Sequence, residues 1–547
     1  MVLLKTLLAF RPRLRSEWLS VAVAAYLLIL LNGTFWHKSL AYLNGETFAL
    51  LTLMIGLFAG FVAISVTFSA KFVIKPVLIL FVISSVASAW FMDHFGVVID
   101  GEMIRNAVET NTAEAGHLIT GAFIIHILLY GVLPSVFILW VKVVHRPILA
   151  KVGVNLLVIL PCVLVLAGSA YLNSGTYIFN IREHRDWFRT LNPFFPMASA
   201  AGFVIGQTKE RNVVVESLGT DAKVADERKA SGRKARVTIL VVGETARAQN
   251  FQLGGYRRET NPQLAKQDIV YFQDTSSCGT ATAVSLPCMF SVYGRSGYSH
   301  AKGLATENLM DVLKHAGVKT EWWDNNTGDK HVADRTQKTE FFKSDDARFC
   351  SGGECLDDIL LDGLGARLDK VDGDTVLVLH QLGNHGPAYY LRYPEAYRKF
   401  VPDCQTVEFE SCSPETITNA YDNAILYTDH ILSEVIETLK ARQDRFDGAM
   451  IYMSDHGESL GENGLYLHGA PYMFAPEQQT KIPFVVWTAP GLDRSVGIDK
   501  ACLGGNVKTP HSHDNLFHSV LGLMQVRTQV YDPRLDIFAG CKTGATS

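Results

Sequence analysis

An N-terminal bundle of five transmembrane helices, followed by a soluble α/β domain whose mostly parallel sheet lies between helices, is the architecture this sequence predicts. Three observations carry that reading. Five apolar segments crowd the first third of the 547-residue chain, each close to the ~20 residues a membrane helix needs. From residue 237 onward, apolar strands alternate with helical patterns, the signature of a parallel sheet covered on both faces. Finally, Glu244, Asn326, His385 and Asp455 each stand just past the C-terminal end of an apolar run, the sheet edge where α/β folds bind ligands.

The apolar segments run over 18–36, 46–68, 72–91, 118–141 and 152–172. The first is not a cleaved signal peptide, because residues 32–37 offer no small-residue cleavage site and further spans follow. Lys5, Arg11, Arg13, Arg15, Lys71, Lys75, Lys142, Arg146 and Lys151 fall on one side of the spans, against only Lys38 and Arg105 on the other. The basic side is cytoplasmic, so everything after residue 172 lies outside the cytoplasm. Mean hydropathy is +0.14, high for a purely soluble chain. The net charge of −4 offers no basic face for nucleic acid.

The outer loop 92–117 carries Asn106, Thr110 and Glu114 at a spacing of four, which places them on one helix face. That strip suits a lipid head group; a solvated face is the alternative. Residues 173–235 read as linker. From Tyr177 to Phe203 aromatics alternate with charge, with Trp187, Phe188, Phe194 and Phe195 expected at head-group depth in interfacial helices. The charged stretch Asp221–Arg236 reads as an exposed tether. The expected divisions are therefore 1–172, 173–235 and 236–547.

In the outer domain, strands are expected at Val237–Val242, Thr320–Trp323, Thr375–Leu379, Ala449–Met453 and Ile482–Trp487. Helical patterns fall between them at Asn308–Ala316, Ile417–Leu439 and Asp514–Met524. The stripe Ile417, Ala420, Ala424, Tyr427, Ile431, Val435 and Leu439 marks the second as amphipathic. Of nine cysteines, Cys162 sits in an apolar run and eight follow residue 277. Their spacing suggests Cys278 with Cys288, Cys350 with Cys355, Cys404 with Cys412 and Cys502 with Cys541, as disulfides in an oxidising compartment. No pair has the C-x2-C spacing of a zinc finger, and spacing alone leaves the connectivity open.

The stretch Ser454–Gly464 follows a buried strand and sets Asp455 beside His456, half of an oxygen–nitrogen metal site. His468 returns twelve residues later. The bland reading is a turn with a capping Asp and a surface His. Small hydroxyl residues at 276–285 precede a helix-compatible run. With Thr282 at a helix N-terminus, free N–H groups and the dipole face its hydroxyl, and a zinc ion there favours the alkoxide. A capped Ser/Thr loop is the plain alternative.

Taken together, Val242–Arg247, Gly255–Pro262, Ser277–Thr282, Asp324–Asn326, Gly383–Pro387 and Ser454–Gly464 closely resemble the lipid A phosphoethanolamine transferases, the EptA and mobile colistin-resistance group of the alkaline phosphatase and sulfatase superfamily. The resemblance spans nearly the whole chain. It implies an alkaline phosphatase-like fold, and a transfer of phosphoethanolamine from phosphatidylethanolamine to a lipid A phosphate through a covalent threonine intermediate. It further implies a monomer in the bacterial inner membrane with its catalytic domain in the periplasm, conferring polymyxin resistance.

Residue by residue, Thr282 matches the nucleophile. Glu244, Thr282, Asp455 and His456 match one tightly bound zinc, with a second as an option at His385 and His468, which bind the phosphate or protonate the leaving group. Asn326 and Lys330 match residues on phosphoethanolamine, and Asn106, Thr110 and Glu114 the strip near the donor lipid. The Cys502–Cys541 pair is less general in the family. Rival readings keep the metal site and change the acceptor to a core sugar or envelope glycan, move phosphoglycerol instead, or make the chain a lipid or zinc sensor. A sulfatase is disfavoured because the segment 285–289 lacks the arginine of that signature. His513 is expected in an N-capping loop or an outer shell, His380 in the core, and Glu458 and Glu462 at a helix start, with an orienting role open to Glu458.

Overall fold

The computed structural model describes residues 11–110, 112–210, 213–225 and 233–542, without the side chains of 112–114 and 209. Lys5 and the side chain of Glu114 therefore lie outside the described residues. The chain forms two compact units, one of residues up to 104 together with 119–205, the other of Arg105–Leu118 and everything from Gly206 on. This differs from the three consecutive segments expected from sequence.

The first unit holds α1 (Ser16–Leu30), α2 (Gly33–Tyr42), α3 (Thr47–Thr67) and α4 (Ile74–Phe95). Beyond residue 118 come the helices Gly121–Trp140 and Ile148–Leu172. Among the described residues, four helices are long and apolar enough to cross a membrane, and a fifth span exists if α1 and α2 count as one, bent by 63°. The expected span 18–36 bends at Asn32. Its amide donates to the carbonyls of Leu27 and Asn192, each at 3.0 Å, and its Oδ1 accepts from Asn192 N–H at 2.8 Å. That anchoring fixes the turn between the helices. Two further helices follow, Ser174–Glu183 and Phe194–Glu210. Trp187 between them packs inside the protein rather than on its surface. It is fully buried, stacked on Phe35, and donates to Ser39 Oγ at 2.8 Å.

The outer-loop strip is also corrected. The segment forms two helices, α5 (Gly101–Glu109) and α6 (Thr112–Leu118), so Asn106 and Glu114 lie on different helices. Thr110 sits at the break, its hydroxyl turned back to the carbonyl of Asn106 at 2.7 Å. The expected tether is partly bound too: Lys223–Val224 pairs with Val526–Arg527, and Arg236 is buried with its guanidinium on Met524 O.

The second unit is built on a seven-stranded sheet. Its strands are β1 (Ala235–Gly243), β2 (Ile269–Phe272), β3 (Lys319–Asp324), β4 (Gln337–Glu340), β5 (Thr375–His380), β6 (Phe446–Ser454) and β7 (Phe484–Thr488). The order is β2-β7-β6-β1-β5-β3-β4. Only β7 runs against its neighbours. Along β1, Leu240 and Val242 enter the core cluster that also holds Phe290, Leu313 and Phe517 from one layer of helices. Alternate residues Ile239 and Val241 are buried on the other face, as a period of two requires. There the long helix Pro414–Lys440 packs on β6, opened by Ser413 Oγ accepting Thr416 N–H, a cap worth about 1 kcal/mol. Register aligns the C-terminal ends: Ser454 pairs with Gly243, and His380 with Val242 and Asp324. Residues just beyond those ends are thereby gathered at one edge.

Candidate active site

Glu244 and Asp455 extend the adjacent strands β1 and β6, and both are fully buried, as is His456. Asp455 Oδ1 accepts from the backbone N–H groups of Thr245 (3.2 Å) and His456 (2.7 Å). Its Oδ2 is buried with no hydrogen-bond donor. His456 Nδ1 lies 2.9 Å from Gly457 O, which fixes the proton there and leaves Nε2 as a lone pair. That lone pair is 3.2 Å from Asp455 Oδ2 and 3.4 Å from Glu244 Oε1. Burial lowers the His456 pKa well below the ordinary range and raises that of Asp455. Two carboxylates and an imidazole lone pair thus converge in a buried place, an arrangement a divalent cation satisfies. All three ligand atoms lie within 4.8 Å of one another.

The helix Thr282–Met289 begins at Thr282 after the extended Ala281. Thr282 Oγ1 is 3.1 and 3.3 Å from the Glu244 carboxylate oxygens and 3.3 Å from His456 Nε2. The first N–H groups of a helix have no partner inside it, so hydroxyl and donors share one end. The Cys278–Cys288 disulfide ties the preceding turn to this helix.

His385 and His468 stand together, ring centres 5.2 Å apart, and His468 is 4.6 Å from the His456 ring. Glu458 Oε2 accepts from His468 Nδ1 at 2.9 Å, and Glu458 Oε1 accepts from Tyr389 OH at 2.7 Å. Asn326 donates to Glu244 Oε2 (2.7 Å) and Gln381 O (2.8 Å). Lys330, in left-handed backbone at φ 45°, reaches Glu109 O at 3.0 Å and Thr327 O at 2.9 Å.

The sequence of this second unit matches the sulfatase family model over residues 236–526. The model described as phosphoethanolamine transferase EptA/EptB matches residues 57–208. Among curated relatives, phosphoethanolamine transferase EptA of Escherichia coli K12 is 37% identical over 99% of both chains. The Escherichia coli phosphatidylethanolamine transferase Mcr-1 is 36% identical over 93% of this chain and 94% of its own. The solved integral membrane lipooligosaccharide phosphoethanolamine transferase A of Neisseria meningitidis is 35% identical, covering 97% of this chain and all of that one at a TM-score of 0.93. The chain belongs to the EptA/Mcr family of phosphoethanolamine transferases. Family membership makes it a membrane protein with a C-terminal soluble domain.

Within this EptA/Mcr framework, the structure brings Glu244, Thr282, Asp455, His456, His385, His468 and Asn326 to one sheet edge. Asn326 braces a candidate metal ligand, and Lys330 is engaged with backbone carbonyls. All four expected disulfides are present, and Cys162 is free. His380 is fully buried, paired with Asp324 Oδ2 at 3.0 Å. Burial alone would raise the Asp324 pKa, but His380 and Trp322 outweigh it and the net shift is downward.

Glu462 opens the one-turn helix Glu462–Gly464 as expected, whereas Glu458 starts no helix. Glu458 orients His468, and Glu462 pairs with Arg247 at 2.6 Å. His513 holds the N-cap position of the helix Asp514–Leu523, but its side chain makes no cap bond. Its Nδ1 accepts Cys278 N–H at 3.0 Å, and its Nε2 donates to Ser454 O at 2.9 Å. It therefore bridges the Thr282 turn and the Asp455 turn, with Ser285 Oγ also bonded to Asp455 O. Sequence reasoning missed Ser285 and Tyr389. Ser285 heads a segment weighed only against the sulfatase signature, Tyr389 lies in no motif, and each acts through a contact distant in the chain.

Proposed function

We propose that the protein transfers phosphoethanolamine from phosphatidylethanolamine to a lipid A phosphate through Thr282. The carrying observation is the position of Thr282 Oγ1 at a helix N-terminus, within 3.3 Å of both Glu244 and His456. Glu244, Asp455 and His456 would hold zinc, with Thr282 beside it. Bound zinc would offset the two carboxylates and acidify a neighbouring hydroxyl. His385 and His468 offer a place for the phosphate or for a second ion.

In the first half-reaction Thr282 Oγ1 attacks phosphorus. An O–P bond forms, the bond to the diacylglycerol oxygen breaks, and the threonine proton passes to Glu244 Oε2, 3.1 Å away. Glu458 stabilises a protonated His468, which gives its Nε2 proton to the departing oxygen. In the second half-reaction a monoprotonated lipid A phosphate attacks the phosphothreonine and its proton passes to His468; the bond to Thr282 breaks, and Oγ1 regains its own proton from Glu244. Donor and acceptor follow the relatives' names, phosphatidylethanolamine for Mcr-1 and lipooligosaccharide for the Neisseria enzyme. The catalytic unit would face the periplasm from the inner membrane, the chain acting as a monomer. The amine added to lipid A lowers the negative charge of the cell surface, which weakens binding of polymyxins and other cationic peptides.

Mass spectrometry of lipid A from cells with and without the chain tests this reading. The expected result is a phosphoethanolamine adduct on a lipid A phosphate, and phosphoethanolamine on the Thr282 peptide after incubation with donor alone. Adducts on a core sugar would reassign the acceptor. A Thr282→Ala chain that still transfers would reject the nucleophile.

A further inference from the structure

His385 has its own brace. It lies in a loop held at its start by Asp357, whose Oδ1 accepts from Leu382 N–H and whose Oδ2 accepts from Gly383 N–H, both at 2.9 Å. Seven residues beyond His385, the Arg392 side chain is 1% exposed. Its Nε donates to the His385 carbonyl at 2.9 Å. Its two terminal nitrogens form a bidentate pair with Glu354, at 2.9 and 3.0 Å. Glu354 sits on the two-stranded hairpin Cys350–Ser351/Glu354–Cys355, closed by its own disulfide. Beyond the hairpin, Cys355 O and Asp357 Oδ1 both accept from Asn325, the neighbour of Asn326.

The same Glu354 carboxylate has a second partner. Its Oε2 is 3.0 Å from His117 Nε2 on α6. Arg105–Leu118, the C-terminal half of α5 together with α6, belongs to the same compact unit and is gripped again where Lys330 takes Glu109 O. A chain of contacts thus runs from α6 through His117, Glu354 and Arg392 to the backbone of His385. The loop also carries Tyr389, which holds Glu458 and through it His468. Both histidines of the pair therefore hang on one loop.

We propose that Glu354 and Arg392 are positioning residues for His385 and that, through His117, they couple the α5–α6 segment to the catalytic edge. A buried bidentate carboxylate–guanidinium pair fixes both distance and plane. Loss of either member strands a buried charge, so the loop moves with the hairpin. This role rests on the transfer reading given above for His385.

The test uses the full-length protein in detergent with a fluorescent phosphatidylethanolamine. Glu354→Gln, Arg392→Lys, His117→Gln and the Glu354→Gln/His117→Gln double variant are compared with wild type and His385→Ala. Glu354→Gln and Arg392→Lys are expected to lower kcat tenfold or more, with KM within twofold and bound metal unchanged. His117→Gln, at a partly exposed site, should lower kcat about threefold, and the double variant should be no slower than Glu354→Gln alone. Hydrogen–deuterium exchange should rise in residues 382–392 in each variant, a readout that needs no turnover.

Unchanged exchange in that loop overturns the proposal. So does a kcat loss that merely tracks the loss of folded protein, or a double variant whose effects multiply. Should Arg392→Lys fail to fold, the other variants carry the same comparison. If wild type itself releases no diacylglycerol, the transfer reading fails while the exchange result still decides the brace.

Discussion

Asp455 divides its work between two oxygens, one satisfied by two backbone N–H groups and one aimed at the His456 lone pair and Glu244. Without a cation, those acceptors repel one another in a buried place where water does not screen them. Asp455→Asn keeps a carbonyl oxygen for the backbone donors and puts an amide donor toward His456. In chelator, the Asn variant is therefore expected to melt higher than wild type; with saturating zinc, wild type should melt higher. Thermal melts of both proteins in both conditions check this, and a variant less stable than wild type in chelator would reject the metal reading of the cluster. Gly383 is equally specific. At φ +58° an added Cβ would lie 2.8 Å from Glu244 O and 2.9 Å from Glu244 N, contacts that real side chains do not make. Gly383→Ala must push Glu244 aside, and its zinc affinity should fall at least tenfold in a metal titration while the protein stays folded. Wild-type affinity would show that Glu244 tolerates the shift. Glu244 and Asp455 were legible in the sequence because an apolar strand ends at each. The Gly383 contact was not, because it joins two loops nearly 140 residues apart and leaves no local pattern.

The elements that sequence periodicity missed are those without a periodic signal. Strand β4 is exposed at every position, and β2 is only four residues long. The break between α5 and α6 falls inside a run whose spacing suits an uninterrupted helix. In contrast, β1, β5 and β6 are buried on both faces and read plainly as apolar runs. The Cys350–Cys355 hairpin announced itself by its cysteines, yet nothing in sequence showed that Glu354 inside it meets Arg392 and His117. Its energetics can be measured. Burial alone would raise the Glu354 pKa, but Arg392 and His117 outweigh it and hold the carboxyl at about 2, against an ordinary 4.5. A carboxyl depressed in the folded state contributes stability above its unfolded pKa and loses it as pH falls through the folded value. The contribution is on the order of 3 kcal/mol at neutral pH. The stability difference between wild type and Glu354→Gln should be full at pH 7, begin to shrink near pH 4.5 and be mostly gone approaching pH 2. Denaturant unfolding at several pH values measures it, and a gap constant across that window would show that packing rather than charge holds the hairpin.

Across the whole second unit, four disulfides close loops of very different length, with sequence separations of 10, 5, 8 and 39. In the chain-entropy view a crosslink acts on the unfolded chain, so the stabilisation grows with the loop. It comes to about 2 kcal/mol for the shortest of these and about 4 kcal/mol for the longest. Stability and activity should therefore separate. Cys502 and Cys541 join the helix Lys500–Gly505, which packs on strand β2, to the last described turn, where Asp499 N–H also reaches Cys541 O. This bridge secures the edge of the sheet on the far side of β7 from the site strands. Cys278 and Cys288 bracket Thr282, and Cys278 N–H is held by His513. Replacing Cys502 and Cys541 by Ser should lower Tm more than any other pair while leaving the transfer rate within about twofold. Replacing Cys278 and Cys288 should cost less Tm and at least tenfold in rate, because the nucleophile's turn loses its tie to its own helix. Tm and initial rate measured side by side for the two double variants decide it. Equal rate losses in both would mean that the bridges act only through global stability and that the turn at Thr282 holds its shape unaided.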